Sequence, residues 1–175
     1  VADFNQALQK TLIHEGGYQN RPLDKGNWYN GINYGTKYGI TATDVAHYFP
    51  TLISDLNCVR NLTTAQATIV YKGGYWKDLY SQINAQLVAE KLFDMGVLMG
   101  VGTAVKQLQI TLKNAIAIVP DGVFGPQTLA DVNQQDGAQL LNSYRTTLLN
   151  HAVNIVNANP NDAGFIQGWI NRINS

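Results

Sequence analysis

Phe4, Leu8 and Leu12 recur four residues apart, and Glu15 falls on the same stripe three positions later. This spacing predicts an amphipathic helix from Phe4 to Glu15, stopped by Gly16-Gly17, with Glu15 at its C-terminal edge on the apolar side. The pattern then changes. From Tyr18 to Ile40, Gly26, Gly31, Gly35 and Gly39 alternate with Asn, Tyr and Trp28, which reads as a polar loop or a short hairpin.

Helical signals resume at Thr43-Asp44, which open a short helix ending at Pro50. Thr63-Thr64, ahead of Ala65-Gln66-Ala67, form an N-cap for a helix to about Lys72. Tyr75 to Tyr80 read as an aromatic-rich turn. Helices are expected from Asn84 to Met99 and from Thr103 to Ala115, parted by Gly100-Val101-Gly102. Asp121-Gly122 mark a turn, and Gly125-Pro126 start another helix with proline in its first turn. Asp136 begins a long helix with Leu140, Leu141, Tyr144, Leu148, His151 and Ile155 on one stripe. Asn159-Pro160 end it before a last helix that reaches Ile173. No alternation of strands and helices signals a parallel sheet, so the fold class is mainly α. A shift in composition near residue 90 divides the chain into expected halves, 1–90 and 91–175.

Composition narrows the partners. Hydrophobic residues make up 45% and charged residues 14%, a balance that excludes a disordered chain. Twelve basic and twelve acidic side chains leave no net charge, and no basic stripe points to nucleic acid. The helix from Asp136 to Asn157 carries only Arg145 as a cation, too little for attraction to anionic lipid, so membrane contact is not expected. The apolar stretch Ala115 to Val119 ends at Pro120, far short of the roughly 20 residues of a spanning helix. The N-terminus lacks the basic and apolar regions of a secretory leader. A monomer made in the cytoplasm is the expectation.

Only Glu15 and Glu90 are glutamates. Glu90 precedes Lys91 inside a helix and reads as structural. Glu15 occupies a helix end where the dipole disfavours a negative charge, between glycines and an apolar face, which favours a chemical role. Glycoside hydrolysis needs a carboxylic acid to protonate the departing sugar oxygen, and a half-buried position suits it. Asp24 lies nine residues on; it reads equally as a turn residue and as a group that stabilises positive charge or holds water. Trp28-Tyr29 and Tyr75-Trp76 offer faces for sugar stacking, with Trp76 more consistent with a core position. Trp169 reads as packing. His14, His47 and His151 lack metal-ligand spacing, so neither metal nor cofactor is expected. Cys58 cannot form an internal disulfide and reads as a buried, inert thiol, leaving a thiol peptidase as a distant alternative.

The segment Glu15-Gly16-Gly17-Tyr18, then Asp24, then Thr36-Lys37-Tyr38-Gly39-Ile40-Thr41, resembles the signature of glycoside hydrolase family 108. Those proteins are N-acetylmuramidases, typified by phage endolysins and secretion activators. The resemblance implies a lysozyme-like helical catalytic half packed against a helical peptidoglycan-binding half. It makes Glu15 the proton donor, and Asp24 and Thr36 the further catalytic candidates. Tyr18, Tyr38 and Thr41, within the motif, join Trp28 and Tyr29 as candidate substrate-binding residues. This chain departs from the family's compact Asp-Pro-Gly-Gly: it reads Asp24-Lys25-Gly26-Asn27 and inserts residues up to Gly35 before Thr36.

The likeness continues through Leu92–Val97, Ala104–Gln109 and Asp121-Gly122-Val123-Phe124-Gly125-Pro126-Gln127-Thr128-Leu129, which resemble the family's peptidoglycan-binding region. The implied partner is the peptidoglycan glycan strand, and the implied reaction is hydrolysis of the β-1,4 bond between N-acetylmuramic acid and N-acetylglucosamine. The implied place of action is the periplasmic wall, after release or export. A lytic transglycosylase using the same Glu15, and a wall-binding or secretion-assisting protein without activity, remain as alternatives.

Overall fold

The computed structural model describes residues 1–113 and 119–175. The chain divides into two compact units, Leu8–Trp76 and Val1–Ala7 with Lys77–Ser175. Helices dominate the described chain as a whole, in agreement with the mainly α expectation.

The unit of residues 8–76 receives most of α1, Phe4–His14, whose Leu8 and Thr11 are buried. After it the chain runs to the hairpin of β1, Trp28–Tyr29, and β2, Ile32–Asn33, paired antiparallel with Trp28 opposite Asn33. Asn30 and Gly31, at φ 49° and 78°, make the tight turn between them. Asn-Gly is the dipeptide that adopts two successive left-handed conformations at least cost. The inserted residues thus form a defined hairpin.

Helix α2, Ala42–Tyr48, follows. Its cap is Thr41 rather than the expected Thr43: the Thr41 hydroxyl accepts from the Asp44 amide, and the Asp44 carboxylate accepts from the Thr41 amide at 2.8 Å. Thr41 wins because only it stands three residues before an acidic side chain that can close the box. Helix α3, Thr64–Gly74, begins with the expected box between Thr63 and Gln66 and runs two residues past Lys72. Ile40, Val45, Val59, Leu62, Val70, Tyr71 and Trp76 are all buried, and bury this unit's apolar stripes.

In the second unit, α4, Gln86–Met99, is buried at every position from Val88 to Gly96. Its polar residues are therefore paired, as buried charges must be. Gln86 donates to Glu90, Lys91 donates to the Arg172 carbonyl, and Arg172 meets Asp94 at 2.9 Å. Helix α5, Val101–Lys113, starts at Val101 rather than Thr103, and the expected end at Ala115 lies outside the described residues, as does the apolar stretch up to residue 118. Helices α6, Pro126–Asn133, α7, Gly137–Ala158, and α8, Ile166–Asn174, complete the unit, with α7 capped by Asp136. Of the predicted α7 stripe, Leu140, Tyr144 and Leu148 are buried, joined by Ala152, whereas Leu141, His151 and Ile155 are half-buried. Among the described residues, no helix is long and apolar enough to cross a membrane.

The Asp121–Thr128 motif owes its shape to Gln109, which is 1% exposed on α5. Gln109 Nε2 donates to the Asp121 carboxylate, the Val123 carbonyl and the Thr128 hydroxyl, while its Oε1 accepts from the Gly122 amide. Gly122, at φ 79°, approaches the Gly102 carbonyl so closely that a Cβ would stand 2.8 Å from it. Only glycine meets both demands.

Candidate active site

Glu15 follows the last residue of α1 and is half-buried. The Gly16 carbonyl accepts from the Tyr38 amide at 3.1 Å, which draws the Tyr38-Gly39 turn against the helix end. Gly39, at φ 68°, then lies directly on the Glu15 carboxylate: a Cβ there would be 2.6 Å from Oε2 and 3.3 Å from the Tyr71 phenol oxygen. Tyr71 donates to the Tyr38 carbonyl in a short hydrogen bond, tying α3 to the same turn. Tyr38 itself is held at φ 54°, with Lys37 Nζ 5.2 Å from its ring centroid.

Tyr75 stands one helical turn beyond Tyr71, their ring centroids 5.7 Å apart. Burial, then the negative charges of Asp44 and Glu15, raise the Tyr75 phenol above its ordinary value. It therefore remains a neutral hydroxyl able to donate a hydrogen bond. Cβ atoms at Gly16 and Gly17 would meet nothing within 4 Å, so open space borders Glu15 where side chains would crowd a polymer.

Asp24 and Thr36 belong to a second cluster, built on Asn27. Asn27 is fully buried; its Nδ2 donates to the Gln19 Oε1 and the Arg21 carbonyl, and its Oδ1 accepts from Gln19 Nε2 and from the Thr36 hydroxyl. Gln19 Nε2 also donates to Asp24 Oδ2 at 2.9 Å, and the Gly26 amide donates to Asp24 Oδ1. Paired Gln19 and Thr36 backbone bonds close the ring. The structure thus brings Asp24 and Thr36 onto one network, with the Asp24 carboxylate fixed in direction but exposed.

The remaining candidates take varied positions. Tyr18 packs on Gly35, whose Cβ would stand 2.6 Å from the ring, and under the Arg60 guanidinium at 4.4 Å. Trp28 is 45% exposed and donates its indole N–H to the Pro22 carbonyl, while Tyr29 meets buried Tyr34 edge-on. Trp76 is in the core. Cys58 is 5% exposed, and burial raises its thiol, which opposes thiolate chemistry. Sequence reasoning missed Gly39, Tyr71 and the Gln19–Asn27 pair, and offered Tyr75 only as a face for sugar stacking. The spacing of Tyr71 and Tyr75 by one helical turn was the available signal.

The site thus combines a half-buried carboxyl, open backbone at Gly16-Gly17 and a neutral phenol. The chain belongs to the glycosyl hydrolase 108 family, whose model matches residues 8–100, more than half of the sequence. Residues 103–174 match the family described as Predicted Peptidoglycan domain. The protein is thus a glycoside hydrolase that acts on peptidoglycan in the cell wall. Among solved structures it is similar to that titled "Structure of Brucella abortus SagA", with a TM-score of 0.73 and 26% identity, over 98% of this chain and 89% of the other. No curated protein matches it significantly.

Proposed function

We propose that this chain is an N-acetylmuramidase that hydrolyses the β-1,4 bond between N-acetylmuramic acid and N-acetylglucosamine, with Glu15 as general acid. The apposition of the half-buried Glu15 carboxyl and Gly39, beside the open strip at Gly16-Gly17, carries the reading. Glu15 protonates the glycosidic oxygen as the C–O bond breaks toward an oxocarbenium-like state. The leaving sugar departs as an alcohol. Asp24 and Thr36, oriented by Gln19 and Asn27, stabilise that charge or direct the water that adds to the anomeric carbon, and the proton this water gives up restores the Glu15 carboxyl. Trp28 and Tyr29, on the inserted hairpin, and Tyr18 and Tyr38 border the glycan, and Thr41 contributes by capping α2. Residues 1–90 form the catalytic region and 91–175 the wall-binding region, and the protein works as a monomer after release or export.

Reduction of the digestion products with borohydride, followed by mass spectrometry, tests the bond assignment. Muramitol at the new ends is expected. Glucosaminitol would mean the other glycosidic bond, and 1,6-anhydro ends would mean a transglycosylase that adds no water.

A further inference from the structure

The unit of residues 1–7 and 77–175 contains a pocket of about 480 Å³ that no catalytic candidate borders. Such a volume holds a small ligand or one or two residues of a polymer. Leu98 and Ile155 contribute its apolar lining, and Phe165 and Trp169 stack in one wall, centroids 6.2 Å apart and planes 22° from parallel. Phe165 is 62% exposed, so the face of its ring is open to a ligand. His151 and Asp162 supply the polar lining. Burial lowers the His151 imidazole below its ordinary value, so it enters as a neutral hydrogen-bonding ring.

We infer that this pocket is a glycan subsite, in which the Phe165–Trp169 platform stacks on an N-acetylated pyranose of the peptidoglycan strand. Several features favour the sugar over the stem peptide. A pyranose presents a flat face of C–H groups that matches two near-coplanar rings, and an N-acetyl methyl suits the apolar lining. Asp162 and His151 match hydroxyl and amide hydrogens, and the lining holds no cation to meet the carboxylates of a stem peptide. Seven of the nine lining residues fall within the segment matched as a peptidoglycan domain. The inference rests on peptidoglycan as partner and not on the bond assigned above.

The test uses the full chain carrying Glu15→Gln, so that no turnover confuses binding. Peptide-free glycan oligomers and, separately, isolated stem peptides are titrated while indole N–H resonances are followed by NMR. The glycan is expected to shift the Trp169 signal, and Trp169→Ala and Phe165→Ala to weaken its binding roughly tenfold. Trp169→Tyr keeps a platform and is expected to restore most of the affinity, which separates stacking from misfolding. Equal glycan binding by Phe165→Ala and the parent would overturn the inference, as would a Trp169 shift driven by stem peptide or by protein concentration alone. Because cleavage by the unsubstituted protein is measured independently, an incorrect bond assignment and an incorrect subsite give different results.

Discussion

Gly39 faces the carboxylate of Glu15 so closely that a Cβ on residue 39 would stand 2.6 Å from Oε2. The turn carrying Gly39 is held from two sides, by the Gly16 carbonyl and by the Tyr71 hydroxyl. The turn that meets the acid is thus fixed by one backbone and one side-chain hydrogen bond.

Gly39→Ala is expected to displace the Glu15 side chain and lower turnover of peptidoglycan by roughly tenfold or more. A left-handed alanine also costs about 1–2 kcal/mol, read as a lower melting temperature. Gly39→Asn separates the two effects, because asparagine tolerates φ 68° better but still brings a Cβ to the carboxylate. Its activity is expected to fall with a smaller loss of stability. Full activity in both variants would show that this contact does not position the acid.

Tyr71→Phe removes the donor to the Tyr38 carbonyl in a part-buried setting. A net hydrogen bond there contributes about 1 kcal/mol. Chemical denaturation is expected to show that loss, and activity to fall with it as the Tyr38-Gly39 turn loosens.

Arg172 and Asp94 form a nearly buried pair, at 2.9 Å. Arg172→Met leaves the Asp94 carboxylate with Lys91 at 4.0 Å as its nearest remaining ion-pair partner. Breaking such a pair costs about 3–5 kcal/mol. The double variant Arg172→Met, Asp94→Leu removes both charges and is expected to recover much of that stability in urea melts.

His151 makes stability fall on the acid side. Its folded-state pKa lies below the ordinary 6.5 because burial disfavours the charged ring. The unfolded chain therefore binds the proton first as pH drops. The stabilisation is complete above about pH 6.5 and is lost as pH falls through the folded-state pKa. An NMR titration is expected to place the His151 midpoint below 6.5, and His151→Gln to flatten the stability profile over that window. A midpoint above 6.5 would contradict the burial argument.

Much of this fold was legible because its signals are local. The α1 stripe with its glycine stop, the Thr63–Gln66 box, the Gly125-Pro126 start and the Asp136 cap each work within a few residues. The glycine-rich run from Gly26 to Gly39 left a loop and a short hairpin both open, and the turn at Asn30-Gly31 decides for the hairpin. The cap of α2 was misplaced because two threonines stand two apart, and the choice depends on which one Asp44 can reach. Glu15 was legible from its glycine-flanked helix end. Its neighbours Gly39 and Tyr71 were not: they come from the turn after β2 and from α3, and no periodicity within one element reports a contact between elements. The Gln19–Asn27 network was hidden for a second reason. Asn and Gln are ordinary loop residues until burial obliges every polar atom to find a partner.

The most direct test of Glu15 as the acid is a paired digestion of purified sacculi by the unsubstituted protein and by Glu15→Gln, read as soluble muropeptides by mass spectrometry. The account predicts fragments with N-acetylmuramic acid at their reducing ends from the first, and none from the second despite intact folding and retained binding to sacculi. The same fragments released at the same rate by Glu15→Gln would contradict it.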